Sequence, residues 1–380
     1  MSSFCARDSF VSPIDHDVES EGSVQGGDIE QPLGQGGVPE NLDAESDSSN
    51  DEDNNEAIPV NAAPRPNRPS KAEVDEHMLS HLPYRSWCAH CVKGKAKSKR
   101  HSCTSQNNDH EIPMVTLDYM FMGDDSSTDE EGSMPILVVK DVLSPGCGTG
   151  MVFAHVVPRK GANSYAIKIL SKDIAILGHP ELVLKSDSEP AIIALKEATK
   201  RERSERIVFE SPPIKESQAN GAIENAVQQV QGQFRAMKDA LESRLGERIN
   251  GNWHCIPWLV KHSASTINRY HVGRDGRTNY KRWKGKAFKR DMAEFGEQVL
   301  YLKAGTKGVN KFNSRWEQGT WLGVRDETAE IIIGTPQGIV KARDFKRLAK
   351  DEDSWSAEAV KAVKGVPWER YPAMVREKYR

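Results

Sequence analysis

Three acidic residues occupy positions where a carboxylate needs an explanation. Asp118 lies in the middle of an apolar run, VTLDYMF, and a buried aspartate is costly unless it is paired or bound to a metal ion. Asp187 ends the run ELVLKSD, at the carboxyl end of a predicted strand, where α/β sheets gather their ligands. Glu224 follows 37 positions later. Carboxylate oxygens suit Mg²⁺ or Mn²⁺, and a pair of such ions promotes in-line attack on a phosphodiester.

Glu224 belongs to a helix that is predicted from apolar spacing. Its apolar stripe consists of Ile223, Val227, Val230 and Phe234. A polar row lies beside that stripe and consists of Glu224, Gln228, Gln231 and Arg235. Taken alone, Glu224 is explained more simply as a solvated acid that the helix dipole favours. Its role therefore depends on the rest of the chain.

A compact group of histidines and cysteines precedes these acids. His77, His81, Cys88 and Cys91 have the spacing H-x3-H-x6-C-x2-C. Zinc prefers four tetrahedral nitrogen and sulfur ligands, and two cysteines separated by two residues are a common half-site. The alternative is that the four are unligated surface residues. The basic run that follows, at 93–100, fits either a phosphate-binding strip or a nuclear-import signal.

The sequence between residues 112 and 270 alternates between predicted strands and helices. Predicted strands cover 112–122, 135–142, 149–158, 181–187 and 206–211. Predicted helices cover 162–177, 189–201 and 253–270, and a long helix introduced by Asn220-Gly221 carries Glu224. This order favours an α/β fold with one mixed sheet, in which the first and fourth strands are neighbours. Asp118, Asp187 and Glu224 are then expected to converge at one edge of the sheet.

Four further short strands are predicted beyond residue 288, at 295–303, 319–326, 329–338 and 339–348. Strands so closely spaced indicate a small β-barrel. The last 30 residues are charged and yield no clear secondary structure.

The charge of the chain is unevenly distributed. Residues 1–70 hold 15 acidic residues against 3 arginines, whereas the remaining 310 hold 40 acidic and 49 basic residues. An acidic arm of this composition is expected to be disordered, and a basic body suits a polyanionic partner. Six cysteines are too few for a disulfide framework in 380 residues, which indicates a reducing compartment. No apolar run reaches membrane-spanning length and no secretory signal begins the sequence, so we expect a protein that is neither membrane-bound nor secreted.

The order and setting of Asp118, Asp187 and Glu224, with NGAIEN around the third acid, resemble the catalytic core of retroviral and retrotransposon integrases. The chain is most similar to the copia-type retrotransposon integrases. The resemblance implies a ribonuclease-H-like fold that carries out DNA 3′-end processing and strand transfer. It also implies two Mg²⁺ or Mn²⁺ ions on the three acids and one Zn²⁺ on the His/Cys group. The implied partners are element ends, target DNA and further copies of the chain, and the implied location is the nucleus after a cytoplasmic phase.

Composition, strand spacing and the resemblance, which covers about 77–348, together predict the organisation: a disordered acidic arm at 1–70, a zinc module at 71–104, an integrase-like core at 105–286, a β-barrel-like domain at 287–350 and a charged tail at 351–380. The loop of six residues between the His and Cys pairs is shorter than in the family. His77 is therefore the ligand most open to substitution, by His90, His101 or Cys103. The motif after the second acid is Asp-Ser-Glu-Pro rather than the family's commoner Asp-Asn-Gly.

Two other functions compete with an active integrase. A domesticated, non-catalytic DNA-binding protein would keep the fold, although it has no physical need to hold an acid inside a strand. A ribonuclease H would share the fold but gives no reason for the His/Cys group or for the C-terminal strands.

Overall fold

The computed structural model describes residues 66–96, 112–122, 134–143, 148–204, 206–210, 221–302 and 314–372. Most of the predicted acidic arm therefore lies outside the described residues, as do the alternative zinc ligands His101 and Cys103. Asn220 and the residues that precede it from 211 onward also lie outside them.

A five-stranded mixed sheet forms the centre of the fold. Its strands are β1 (Met114–Met122), β2 (Met134–Asp141), β3 (Val152–Val156), β4 (Glu181–Lys185) and β5 (Arg206–Glu210). They lie in the order β3-β2-β1-β4-β5, with β1 antiparallel to β2 and parallel to β4. The predicted α/β class with one mixed sheet is confirmed, and the first and fourth strands are neighbours.

Helices cover both faces of this sheet. They are α3 (Ser164–Leu177) and α4 (Pro190–Glu202) on one face, and α5 (Gly221–Leu245) and α6 (Ile256–Tyr270) on the other; α7 (Asn279–Lys284) follows α6. Side chains alternate along β1, so that Leu117 packs with the α3 and α4 side and Met120 with the α5 and α6 side. Asp118 and Met120 are two residues apart on β1, so their side chains point to the same face of the sheet. Its position therefore belongs to the α5 face.

The predicted stripe on α5 is largely buried. Ile223, Val230 and Phe234 are at most 7% exposed, whereas Val227 is only partly buried. Among the described residues the helix begins at Gly221, which agrees with the predicted start at Asn220-Gly221.

A second sheet follows the helices and is antiparallel throughout. Its strands are β6 (Gln298–Leu302), β7 (Trp316–Val324), β8 (Ile331–Thr335), β9 (Gly338–Ala342) and β10 (Phe345–Arg347). They lie in the order β10-β6-β7-β8-β9. The two end strands would be about 19 Å apart in a flat sheet. Only Arg343 and Asp344 connect them, and this link spans at most about 11 Å, so the sheet must curl.

The curled sheet departs from the predicted closed barrel. Within the described residues, β9 and β10 are not paired with each other and remain the two edges of the sheet. Four strands were predicted and five are observed, because the predicted strand at 339–348 is divided into β9 and β10. Closure depends on edge pairing that the strand pattern does not specify.

The segment after the second sheet packs into the core instead of extending as a charged tail. It contains α8 (Asp351–Ser354) and α9 (Ala357–Ala362). Val360 and Val363 are at most 1% exposed and join the apolar cluster of α5 and α6. The indole Nε1 of Trp258 donates a hydrogen bond of 3.1 Å to the carbonyl of Gly365. These contacts tie residues 351–372 to the same core.

An N-terminal module of two short helices packs against α5. The helices are α1 (Lys71–Met78), which begins with a capping box between Ser70 and Glu73, and α2 (Ala89–Lys95). A Cβ at Gly94 would lie 2.6 Å from the backbone nitrogen of Ala236, so only glycine allows this approach. The Gln233 amide nitrogen of α5 donates to the carbonyl of Ser80 at 2.6 Å.

No helix among the described residues has both the length and the apolar character needed to cross a membrane.

Candidate metal centres

The N-terminal module brings four predicted zinc ligands together. His77 comes from the last turn of α1, His81 from the following loop, and Cys88 and Cys91 from the start of α2. One ligand atom from each of the four lies within 4.8 Å of all the others, and every one of these residues is at most 4% exposed. The predicted set therefore forms a single buried cluster.

The spacing of these atoms fits a tetrahedral zinc ion. Zn–S and Zn–N bonds of about 2.3 and 2.05 Å imply sulfur-to-nitrogen edges of about 3.6 Å. The Sγ of Cys91 lies 3.3 Å from Nε2 of His77 and 3.9 Å from Nδ1 of His81. The Sγ of Cys88 lies 3.6 Å from the same Nδ1. His77 would thus bind through Nε2 and His81 through Nδ1.

The protonation of the cluster also suits a cation. Burial lowers the pKa of His81, which favours the neutral imidazole that a metal requires. A hydrogen bond from Cys91 lowers the pKa of Cys88, while that same pairing and burial raise the pKa of Cys91. Zinc binding would require both cysteines as thiolates.

The backbone of His81 is held in a conformation that non-glycine residues seldom adopt. Its φ is 52°, in the left-handed region. The Lys95 ammonium donates to the His81 carbonyl at 2.6 Å, and the His81 amide donates to the carbonyl of His77 at 2.7 Å. These two bonds fix the peptide that orients the His81 ring.

His90, a predicted substitute for His77, has a different role. Its Nδ1 lies 2.5 Å from a carboxylate oxygen of Asp239 on α5, and Lys93 bonds to that carboxylate at 3.1 Å. His90 therefore helps to dock the module and does not complete the cluster. Lys93 and Lys95 of the basic run are likewise engaged in contacts within the chain.

Asp118 lies on β1, and Asp187 lies two residues beyond the end of the adjacent strand β4. The parallel pairing of β1 with β4 ends at Thr116 opposite Lys185. Asp118 lies two residues after Thr116, and Asp187 lies two residues after Lys185. Adjacent strands are about 4.8 Å apart, so the two acids are neighbours at the carboxyl end of β4.

Burial and neighbouring acids dominate the electrostatics of this pair. Burial, followed by the charges of Asp187 and Glu189, raises the pKa of Asp118 to about 6, against the opposing hydrogen bond from the Tyr119 amide. The Oδ1 atom of Asp187 is buried and has no hydrogen-bond partner. An unpartnered buried carboxylate oxygen beside a second carboxylate is well suited to a divalent cation.

The helix that carries Glu224 packs on the same sheet face, but the Glu224 carboxylate does not converge with those of Asp118 and Asp187. Its neighbour Ile223 is 3% exposed and shares an apolar cluster with Met120, on the sheet face to which Asp118 belongs. Glu224 itself is exposed and is not among the main charges that shift the pKa of Asp118. Within the part of the chain that the structure describes, the His/Cys cluster is the one group of three or more such side chains whose ligand atoms converge.

Two charged residues at this edge, Glu189 and Lys160, were not predicted from the sequence. Glu189 forms an ion pair of 2.6 Å with Lys160, whose ammonium also lies 4.6 Å from the ring centre of Phe121. Glu189 falls in the Asp-Ser-Glu-Pro motif, and its position two residues after Asp187 was a usable signal. Lys160 precedes α3 in a loop, and its sequence gave no comparable indication.

Comparisons with known proteins give no family assignment. No protein-family model and no curated protein matches the chain. A cryoEM structure of the simian T-cell lymphotropic virus intasome in complex with PP2A regulatory subunit B56 gamma is similar, with 16% identity, a TM-score of 0.36 and coverage of 74% of this chain and 92% of that one. The HTLV-2 integrase catalytic core domain in complex with magnesium matches in its trimeric form at 13% identity and a TM-score of 0.31, covering 45% of this chain and 97% of that one. Its dimeric form matches at 12% and 0.30, covering 45% and 94%. These values are too low to support a function, which is argued below from the chain's own residues.

We predict one zinc ion per full-length chain, lost in His77→Ala and retained in His90→Ala. The first variant removes a ligand atom from the cluster, whereas the second removes a histidine that bonds to Asp239 instead. Elemental analysis after exhaustive dialysis measures both. Retention of zinc by His77→Ala, together with loss in His90→Ala, would reverse the assignment.

We also predict that Asp118→Asn stabilises the zinc-loaded protein in buffer without added Mg²⁺, in a pH-dependent manner. The folded pKa of Asp118 is raised to about 6 from an ordinary 3.8, so the folded state binds its proton more tightly than the unfolded state does. The wild type therefore loses stability as pH rises from about 4 to about 6, and the variant does not.

Urea unfolding at pH 4, 5, 6, 7 and 8 provides the measurement. The free energy of unfolding of the variant minus that of the wild type should grow as the pH rises from about 4 to about 6, and it should level off above pH 6. Asp291→Asn, at an exposed position, is the matched control and should show no such rise. A difference for Asp118→Asn that is independent of pH would contradict the predicted electrostatics.

Proposed function

We propose that the chain is an integrase-like polynucleotidyl transferase that cuts and joins DNA strands with divalent metal ions. The observation that carries this proposal is the placement of Asp118 near Asp187 at one sheet edge, with a raised pKa on the first and an unpartnered oxygen on the second. Buried like charges of this kind destabilise a fold and favour occupation by a cation.

Asp118, Asp187 and Glu224 would hold two Mg²⁺ or Mn²⁺ ions. When bound, such ions activate an oxygen nucleophile and stabilise charge on the phosphate and on the leaving oxygen. In end processing the nucleophile is water, and in strand transfer it is the 3′-hydroxyl of the processed end. In each step a new P–O bond forms, an existing P–O bond breaks, and the departing 3′-oxygen takes up a proton.

The residues of the chain have separate tasks in this scheme. Asp118 and Asp187 are fixed by adjacent strands and supply a rigid pair of ligands. Glu224 lies in the first turn of α5, and the buried side chain of Ile223 anchors that turn on the same sheet face. DNA and metal binding would bring the Glu224 carboxylate to the pair, which gives the site an assembly step.

The zinc module would support the same helix from its other side. The His/Cys cluster holds α1 and α2 together, and the ion pairs of His90 and Lys93 with Asp239 attach them to α5. Zinc is thus proposed as a structural ion and not as a participant in strand transfer.

The proposed partners are the ends of a mobile element, its target DNA and further copies of this chain. A net positive charge beyond residue 70 favours DNA. A retrotransposon origin and a nuclear site of action, after a cytoplasmic phase, belong to the same proposal.

A second candidate function is a DNA-binding protein that has kept the fold without the chemistry. The observation that favours it is the exposed Glu224, which does not converge with Asp118 and Asp187. The two functions differ in whether DNA strand transfer requires the Glu224 carboxylate.

We predict that Glu224→Gln keeps DNA binding but lowers Mg²⁺-dependent strand transfer by about 100-fold or more, the scale on which loss of one group that stabilises developing charge acts. The substitution preserves shape and removes the charge that holds a cation. An oligonucleotide that mimics the element's end is the substrate, and gel-resolved joined products are the readout.

Glu197→Gln, at an exposed position on α4, makes the same chemical change away from the site and should leave transfer unaltered. Undiminished transfer by Glu224→Gln, in a preparation whose wild type is active, would rule out the catalytic assignment. A wild type that binds DNA and never joins it would favour the second candidate.

A further inference from the structure

A groove of about 800 Å³ lies where the N-terminal module meets α5 and the end of α6. The module contributes residues 82–84 and 93–96 to its wall, and α5 contributes a polar surface between residues 228 and 235. No aspartate or glutamate is among the described residues that line it. We call this feature the junction groove.

Two cations of the groove wall are accessible to a ligand. Lys93 is 66% exposed, and its carboxylate partner Asp239 is outside the wall. Arg235 is exposed and forms no ion pair within the described part of the chain; its Nε donates to the carbonyl of Gln231 at 3.3 Å. The guanidinium charge of Arg235 is therefore not neutralised by a neighbouring acid, and such a group suits a phosphate.

The electric field at the groove is also positive. Burial lowers the pKa of His271, which lines the groove, and the nearby cations Lys140, Lys95 and Arg282 lower it further. The wall includes the first four residues of the basic run at 93–100. A concave surface with cations and without lining acids favours a polyanion.

Exposed apolar surface in the same groove points to unpaired bases. Tyr84 is 45% exposed and Val272 is 56% exposed, and both line the groove. A positive groove that carries an accessible aromatic ring is the arrangement by which proteins bind single strands, because each base presents a flat face on which the ring can stack. In a duplex those faces are covered by neighbouring base pairs. The ring of Tyr84 therefore favours an unpaired strand.

The groove also leads toward the candidate catalytic edge. Gln228 lines it and lies four residues after Glu224 on α5, which is about one helical turn. Arg235 lies about 16.5 Å beyond Glu224 along the helix axis. A strand in the groove would thus follow α5 between the module and the turn that carries Glu224.

We propose that the junction groove binds an unpaired DNA strand, with phosphates at Lys93 and Arg235 and a base stacked on Tyr84. The basic run at 93–100 then serves as a phosphate-binding strip, the first of its two interpretations. The inference rests on the proposed function and deepens it, because it names the form of DNA that approaches the acidic edge.

The test is fluorescence anisotropy with the full-length, zinc-loaded protein at fixed salt and without Mg²⁺. The probes are a twelve-residue thymidine oligomer, an abasic strand of the same length, and a blunt duplex of twelve base pairs. The paired variants are Tyr84→Ala/Arg235→Ala and Tyr371→Ala/Arg248→Ala. The two tyrosines are 45% and 44% exposed and both arginines are exposed, but only the first pair lines the groove.

We expect the thymidine oligomer to bind the wild type at least tenfold more tightly than the abasic strand does, because stacking needs a base. The groove variant should weaken oligomer binding about tenfold or more, and the control variant less than twofold. Tyr84→Phe keeps the ring and should stay within twofold of the wild type. Duplex binding should change less than twofold in every variant, and zinc content should remain unchanged.

Photocrosslinking locates the bound strand independently of the variants. An oligomer that contains iododeoxyuridine is irradiated with the wild-type protein, and the crosslinked peptide is identified by mass spectrometry. The account predicts a crosslink at Tyr84. A crosslink only at aromatic residues outside the groove would overturn the proposal.

Three binding results would also overturn it: equal affinity for the thymidine and abasic strands, equal losses in the two paired variants, or a larger loss for the duplex than for the strand. None of these readouts requires strand transfer. A wild type that binds the strand in the groove and never joins DNA would refute the proposed catalysis alone. A wild type that joins DNA while the groove variant loses no strand affinity would refute the groove alone.

Discussion

Helix α5 is the constraint on which both candidate metal sites depend, because it packs against the central sheet and the N-terminal module at once. Its apolar side buries Val230 against the central sheet, its Gly232 meets Gly94 of the module, and Asp239 receives His90. Its first turn carries Glu224. A helix held by packing on several sides has little freedom to rotate, so the position of Glu224 is set by contacts far along the same helix.

The two candidate metal sites differ because one is built from thiols and imidazoles and the other from carboxylates. In the module, burial lowers the pKa of His81 and favours its neutral imidazole, so this ligand is tolerated inside the fold. At the sheet edge, burial and the neighbouring acids Asp187 and Glu189 disfavour the charged form of Asp118. The Lys160 ion pair with Glu189 offsets part of this effect, and the pKa of Asp118 remains raised to about 6. We therefore expect the candidate zinc cluster to be formed before metal binding. We expect the acidic edge to be completed only when metal ions and DNA bind.

Much of the fold was predictable because its signals are local. Apolar runs with period two predicted the strands of the central sheet, and the stripe from Ile223 to Phe234 predicted α5. The four ligands of the cluster were predicted from spacing alone. Burial of Val360 and Val363 was not, because two apolar residues in a charged segment give no periodic signal and their partners on α6 are distant in sequence. The role of Glu189 and the open edges of the second sheet likewise depend on tertiary neighbours.

We propose that Asp118 and Asp187, with Glu224, form a divalent-metal site distinct from the candidate zinc cluster. Anomalous diffraction from crystals of the full-length protein grown with zinc and Mn²⁺ and a DNA end tests this most directly. The account predicts zinc among His77, His81, Cys88 and Cys91, and manganese bound by Asp118 and Asp187 with Glu224 drawn into coordination. A zinc peak with no manganese at the aspartates, in crystals that contain the DNA, would contradict it.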